Sequence, residues 1–256
     1  MAIKNGKEIM LDSNTRLLLQ GASGSGKTSL GGKCTRYDGL RPLHVLDFDL
    51  RIASLRTTLD AGDLDHLTYE EFRDGALPGK AWQDAVLWLN KMLLAYKKED
   101  PALPRTIMLD SLTYALRSAM VGVLHTDGKP TDTMPYQDHY GKMGAKGIDF
   151  ISKLTSLPCN IIVNVHDDIR EDPITQRMMK DLALTKMMRN GIPGYFNERW
   201  HCEVTPGIQG KAPKFMVRTV SDHTVDARTC YKSLDPLESA EEVWRKVQLE
   251  KGMYNI

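Results

Sequence analysis

No run among the 256 residues of this chain approaches the roughly 20 apolar residues that cross a bilayer, so a membrane-spanning helix is excluded. Met1–Lys7 carries no apolar secretion-signal core. The four cysteines (Cys34, Cys159, Cys202, Cys230) are far apart and form no C-x-x-C pair, which argues against zinc and for free thiols in a reducing compartment. A cytoplasmic location is therefore the expectation. Net charge is only +1, so nothing global marks a nucleic-acid binder, and any such surface must be a local patch or arise by assembly. No repeat, linker or low-complexity tract breaks the chain, and residues 1–256 read as one domain. The 41% of hydrophobic residues suffices for a sizeable core.

Gly21-Ala22-Ser23-Gly24-Ser25-Gly26-Lys27-Thr28 fills the pattern G-x-x-x-x-G-K-[ST] at every specified position. It follows the apolar run Leu17-Leu18-Leu19 and precedes a segment able to form a helix. Each residue type has a mechanical task. Glycines let backbone N–H groups converge on an anion, Lys27 supplies a mobile positive charge to the β- and γ-phosphates, and the Thr28 hydroxyl is placed to ligate Mg²⁺. Ser29 completes the cradle. The pattern points to ATP with Mg²⁺.

Strands are expected at Thr15–Gln20, Leu43–Asp49, Thr106–Asp110 and Asn160–Val165. Helices are expected from Lys27 towards Tyr37, where Gly31-Gly32 weakens propensity, and over Ala81–Lys97. In the latter, Trp82, Val86, Leu89, Leu93 and Tyr96 make one apolar face. Residues 58–79 read as polar and turn-rich. Strands alternating with helices predict an α/β fold, a mostly parallel central sheet with helices on both faces. Tyr195–Val204, Lys214–Val220 and Ala227–Tyr231 read as shorter strands extending the sheet antiparallel, before a last helix over Glu238–Val247.

Thr106–Asp110 is a hydrophobic strand ending in one aspartate, the pattern of the acid that holds the Mg²⁺ hydration shell beside a P-loop. Ser111 follows it, not a second acid, so a catalytic base must come from elsewhere. Chemistry in such sheets gathers at the carboxyl ends of strands. There Asp47-Phe48-Asp49 is the best-supplied neighbour, with either aspartate able to orient the attacking water.

These residues resemble the RecA superfamily of P-loop ATPases. Leu109-Asp110-Ser111-Leu112 is similar to its second motif, and Asp49 stands at its catalytic position, where the family usually carries Glu. More narrowly, the chain is similar to phage-encoded RecA-like nucleotide-binding proteins, which include single-strand annealing proteins. That resemblance runs through Gly21–Thr28, Leu46–Asp49, Ile107–Ser111, Ile161–His166, Ile192–Phe196 and Lys214–Thr219. It implies a ring or filament acting on single-stranded DNA, with a single-strand-binding protein as a partner and the host cytoplasm as location. It implies that His166 senses the γ-phosphate and that Asp167–Asn190, with Arg170, Arg177, Lys180, Lys186 and Arg189, is a DNA-contacting loop. Acids including Asp167, Asp168 and Asp172 interrupt those cations, and methionines 178, 179, 187 and 188 suit a subunit contact instead. Thr126–Tyr140 reads as a second loop, where Tyr136, His139 and Tyr140 offer stacking faces and Lys129 and Lys142 offer phosphate contacts. The resemblance also implies that the basic group Lys211, Lys214 and Arg218 offers a cation to a neighbouring subunit's γ-phosphate, Arg218 first and Lys214 second, where the charge pattern alone reads as a basic edge strand. The rival readings are an ATP-controlled assembly switch that binds no DNA, and a small-molecule or nucleotide kinase.

Overall fold

The computed structural model describes residues 14–100, 102–171, 176–207 and 212–253. Side chains alternate across a strand, and the central strands send apolar residues both ways. In β1 (Arg16–Gly21), Leu18 packs into one buried cluster, while Leu17 and Leu19 pack into another on the opposite face. In β4 (Thr106–Asp110), Ile107 and Leu109 join the first cluster and Met108 the second. A sheet apolar on both faces must be covered on both. α3 (Lys80–Lys97), α4 (Leu112–Thr126) and α5 (Gln137–Thr155) cover the first face with Trp82, Leu116 and Phe150. α1 (Lys27–Gly32) and α7 (Val243–Met253) cover the second with Leu30 and Trp244.

The strand order is β3 (Leu67–Glu71), β2 (Leu43–Asp47), β4, β5 (Asn160–Glu171), β1, β7 (Glu198–Thr205), β8 (Lys214–Arg218) and β9 (Leu237–Ser239). From β3 to β7 every neighbouring pair is parallel, and β8 and β9 then run antiparallel. This is the expected α/β architecture, a mostly parallel central sheet with helices on both faces and antiparallel C-terminal strands. One strand, β5, separates β1 from β4, so the loop after β1 and the acid ending β4 face each other across the middle of β5.

Several local expectations are corrected. β7 pairs parallel to β1, not antiparallel. Residues 58–79 hold a short helix α2 (Ala61–Leu64) and the edge strand β3, whose mostly exposed side chains give no apolar alternation to read. Ala227–Tyr231 is not a strand; it touches the sheet through one bridge, Arg199 to Arg228. The last helix begins at Val243, because Glu238 is taken into β9. Helical backbone after the P-loop changes to a 3-10 turn at Lys33–Arg36.

The Gly31-Gly32 pair also acquires a reason. A Cβ on Gly31 would lie 2.3 Å from Met108 Sδ, so α1 sits on β4 at a distance only glycine allows. Trp244 secures it from the other side, its Nε1 donating to the Leu30 carbonyl at 2.6 Å.

Candidate functional site

β1 ends at Gly21, and the loop that follows turns through Gly24 and Gly26 at φ +79° and +88°, values that strain any side-chain-bearing residue. α1 starts directly after Gly26, which puts Lys27 and Thr28 at the carboxyl end of the sheet. Lys27 is buried and its Nζ donates to the carbonyls of Gly21 and Ala22 at 2.7 and 2.8 Å. Burial pulls the Lys27 ammonium below its ordinary pKa, against the nearby Cys202, Asp110, Asp167 and Asp49. A phosphate would meet an incompletely compensated cation there.

Thr28 Oγ1 donates to Asp110 Oδ2 at 2.6 Å, and Asn164 Nδ2 on the intervening β5 donates to Asp110 Oδ1 at 2.8 Å. Burial pushes the Asp110 carboxyl above its ordinary range; the two hydrogen bonds oppose this, and Asp49 and Asp47 add to the rise. The Asp110–Ser111 peptide bond is cis.

The two candidate bases do different things. Asp47 is buried and accepts from Leu50 N through Oδ1 at 2.8 Å and from Ile52 N through Oδ2 at 3.1 Å. Both of its oxygens thus close the turn after β2, in which Leu50 adopts φ +56°. Asp49 instead faces the P-loop cavity, where Ser111 Oγ donates to Oδ1 at 2.7 Å and His166 Nε2 lies 3.2 Å from Oδ2. Burial would raise the Asp49 carboxyl, but His166, Ser111 and Lys27 outweigh it and hold it below its ordinary range. Lys27, Thr28, Asp49, Asp110 and His166 line one cavity of about 230 Å³, with Phe215 against Gly26 at its rim.

Other expected residues lie apart from this cavity. Arg218 is held by its own chain, bonded to Glu203 Oε1 at 3.0 Å and paired with Asp222 at 3.2 Å. Lys214 opens β8, exposed, and has no carboxylate partner among the described residues. Lys211 and Asp172 lie outside the described residues. Thr126–Tyr140 is less of a loop than expected. α5 starts at Gln137, His139 is buried and accepts from the Tyr136 backbone, and Lys142 is paired with Asp127 and Asp138. Asp167–Asn190 is no open loop either. β5 runs on to Glu171, pairs antiparallel with β6 (Met178–Leu182), and α6 (Lys186–Gly191) follows. Of its four methionines, Met188 is fully buried in the core, and Met178 and Met187 are exposed.

Sequence reasoning missed Arg51, Asn164 and Gln20. Arg51 Nη1 donates to Ser23 Oγ within the P-loop at 2.9 Å. Asn164 is a buried amide in an otherwise apolar run, and that anomaly was the available signal. Gln20 gave none. It stands one residue before the loop, and its amide joins the Lys180 carbonyl and Arg199 at 3.2 and 3.1 Å.

Residues 13–231 match the family model described as an AAA domain. The chain belongs to this AAA-domain family. An AAA-domain chain with an intact P-loop and a strand-end aspartate beside it is a P-loop ATPase in its architecture. Among solved structures, it is similar to a KaiC-like protein from the hyperthermophilic archaeon Pyrococcus horikoshii, at 12% identity and TM-score 0.45 over 84% of this chain and 81% of that one. It is also similar to the flagellar accessory protein FlaH of Methanocaldococcus jannaschii, at 11% identity and TM-score 0.43 over 86% and 84%. No curated protein matches it. No helix among the described residues is long and apolar enough to cross a membrane.

Proposed function

We propose that this AAA-domain chain binds Mg·ATP at Gly21–Ser29 and hydrolyses it with Asp49 as general base, in an assembly that acts on single-stranded DNA. The observation that carries the catalytic part is the convergence of two carboxylates with different partners. Asp110 is bonded to the P-loop Thr28, while Asp49 is bonded to Ser111 and His166.

The site suits its ligands. Ser25 Oγ is buried in the loop without a hydrogen-bond partner among the described residues, as suits an atom that would meet an anion or its water. Among the described residues no cluster of three or more His, Cys, Asp or Glu could cage a metal. That suits Mg²⁺, which takes one or two protein oxygens, here Thr28 and Asp110, plus phosphates and water. When bound, Mg²⁺ would neutralise charge on the β- and γ-phosphates. Lys27 would exchange its two carbonyl partners for phosphate oxygens. Asp49, oriented by Ser111 and His166, would accept the proton of the water that attacks the γ-phosphorus, giving ADP and phosphate.

Two routes lead from this site to the β5–β6 hairpin. His166 lies on β5 itself, and Gln20 bonds the Lys180 carbonyl on β6. At the hairpin is a cleft of about 690 Å³ whose lining mixes the cations Arg170, Lys180, Lys186, Arg189 and Arg199 with the acids Glu171, Asp181 and Asp226. Arg170, Arg189 and Arg199 are paired with Asp168, Asp181 and Asp226, whereas Lys180 and Lys186 have no described carboxylate partner. This surface is where single-stranded DNA would bind, with its backbone on the lysines. The pairing of the arginines favours the second reading, an ATP-controlled assembly switch without DNA. ATP turnover measured with and without a single-stranded oligonucleotide at low salt separates the two. Stimulation by DNA, lost in Lys27→Ala, supports the first. Turnover indifferent to DNA leaves the switch.

A further inference from the structure

The turn after β2 is built to deliver one side chain. Asp47 holds the backbone N–H groups of Leu50 and Ile52, the residues on either side of Arg51. Leu50 takes φ +56°, a conformation unfavourable for a bulky residue that persists only where surroundings impose it. The outcome of that constraint is that Arg51 reaches back over the P-loop, where its Nη1 donates to Ser23 Oγ at 2.9 Å. Arg51 lines the same cavity as Lys27, Thr28, Asp49, Asp110 and His166. No described carboxylate pairs with it. A guanidinium carries five N–H donors in a planar fork suited to phosphate oxygens, and among the described residues only one is engaged, by a neutral hydroxyl.

We propose that Arg51 is a phosphate-binding residue supplied in cis, whose guanidinium leaves Ser23 for the terminal phosphate of ATP and makes the site prefer a triphosphate to a diphosphate. This rests on the reading of Gly21–Ser29 as the ATP site and adds a selectivity determinant to it. Lys27 approaches from within the loop, whereas Arg51 approaches from the β2 side, beside Asp49. A cation there meets the phosphate that is present in ATP and absent in ADP. The exposed position of Arg51 means that its replacement should leave the fold intact.

Equilibrium binding of a non-hydrolysable ATP analogue and of ADP, to the wild type, Arg51→Ala, Arg51→Lys and Lys27→Ala, tests this. Arg51→Ala is expected to weaken the ATP analogue about ten- to hundredfold, the worth of a charge-assisted contact, while ADP binding stays near wild type. Arg51→Lys, keeping the charge but losing the fork, should fall between. Lys27→Ala should lose both ligands. If Arg51→Ala weakens both ligands equally, or neither, while Lys27→Ala loses both, the proposal is overturned and the ATP site stands. A wild type that binds neither nucleotide overturns the site and the proposal together.

Discussion

Asp49 and His166 stand 117 positions apart in the chain, and His166 Nε2 lies 3.2 Å from Asp49 Oδ2. The contact crosses a strand: Asp49 follows the end of β2, His166 lies within β5, and the end of β4 lies between them. Ser111, just past β4, bonds the other carboxylate oxygen at 2.7 Å. The carboxylate is thus fixed from both sides, with Tyr114 set edge-on to the His166 ring at 5.6 Å. In the proposed role of base such fixation is an advantage, since small misplacements of a base cost on the order of 10²-fold in rate.

This predicts a pH profile. His166, Ser111 and Lys27 hold the Asp49 carboxyl below its ordinary value despite its burial. The reactive form is the carboxylate, so turnover should persist to a pH below the usual carboxylate range before it falls. Ser111→Ala removes one donor, raises the Asp49 pKa and should move the acid limb of kcat to higher pH. The same shift links to stability. A depressed folded pKa contributes stability that is present above the unfolded value and lost as pH falls through the folded one. Ser111→Ala should shrink that contribution, which acid titration of the fold would show. Asp49→Asn should lower kcat by at least about 10²-fold while ATP binding survives. An acid limb that stays in place in Ser111→Ala would remove Asp49 from the role of base.

Asp110 presents the opposite case. Burial raises its carboxyl, Thr28 and Asn164 resist, and the charges of Asp49 and Asp47 reinforce the rise. The surroundings therefore disfavour the ionised form of Asp110, and a bound cation would favour it. Asp110→Asn keeps the shape, and the Thr28 hydroxyl can rotate to suit an amide. Its melting temperature without ligand should equal or exceed that of the wild type. The stabilisation by Mg²⁺ and ATP analogue, worth about 2.7 kcal/mol at a hundredfold excess over Kd, should vanish. For a protein of this size the lost shift is on the order of 5–10 °C, readable in a thermal melt. A variant that keeps the full shift would show that Asp110 holds no metal.

How much of this was legible in the sequence follows from what each residue type reports. The meeting of the P-loop with Asp110 was readable because such motifs set residue types at fixed spacings. The central strands were readable because two-sided burial leaves runs such as Leu17-Leu18-Leu19. β3 was not, since an exposed edge strand such as Leu67–Glu71 needs no apolar alternation. The split between Asp47 and Asp49 was not, because both are strand-end acids until the turn assigns one to backbone N–H groups. Nor was the pairing of Arg218 with Glu203 and Asp222, in which a strand neighbour and a following turn meet. Long-range polar partners are set by tertiary packing, which leaves no local period to detect.

Two glycines of the P-loop are required for different reasons, and replacing each by alanine tells them apart. Gly24 has φ +79° and, among the described residues, nothing within 4 Å of where a Cβ would stand. Gly24→Ala therefore meets only backbone strain, about 1–2 kcal/mol. A Cβ on Gly21, in contrast, would lie 2.7 Å from the Cys202 carbonyl of β7 and 2.4 Å from Ser25 Oγ. The hydroxyl can turn away, but the carbonyl belongs to a strand paired parallel to β1, and it can retreat only if the sheet opens. Overpacking against backbone should place Gly21→Ala at the upper end of the usual range, about 3 kcal/mol, despite its ordinary backbone angles. Denaturant unfolding of the two variants gives the order directly. If Gly24→Ala proves the more damaging, the close approach of β7 to the start of the loop is looser than these distances describe.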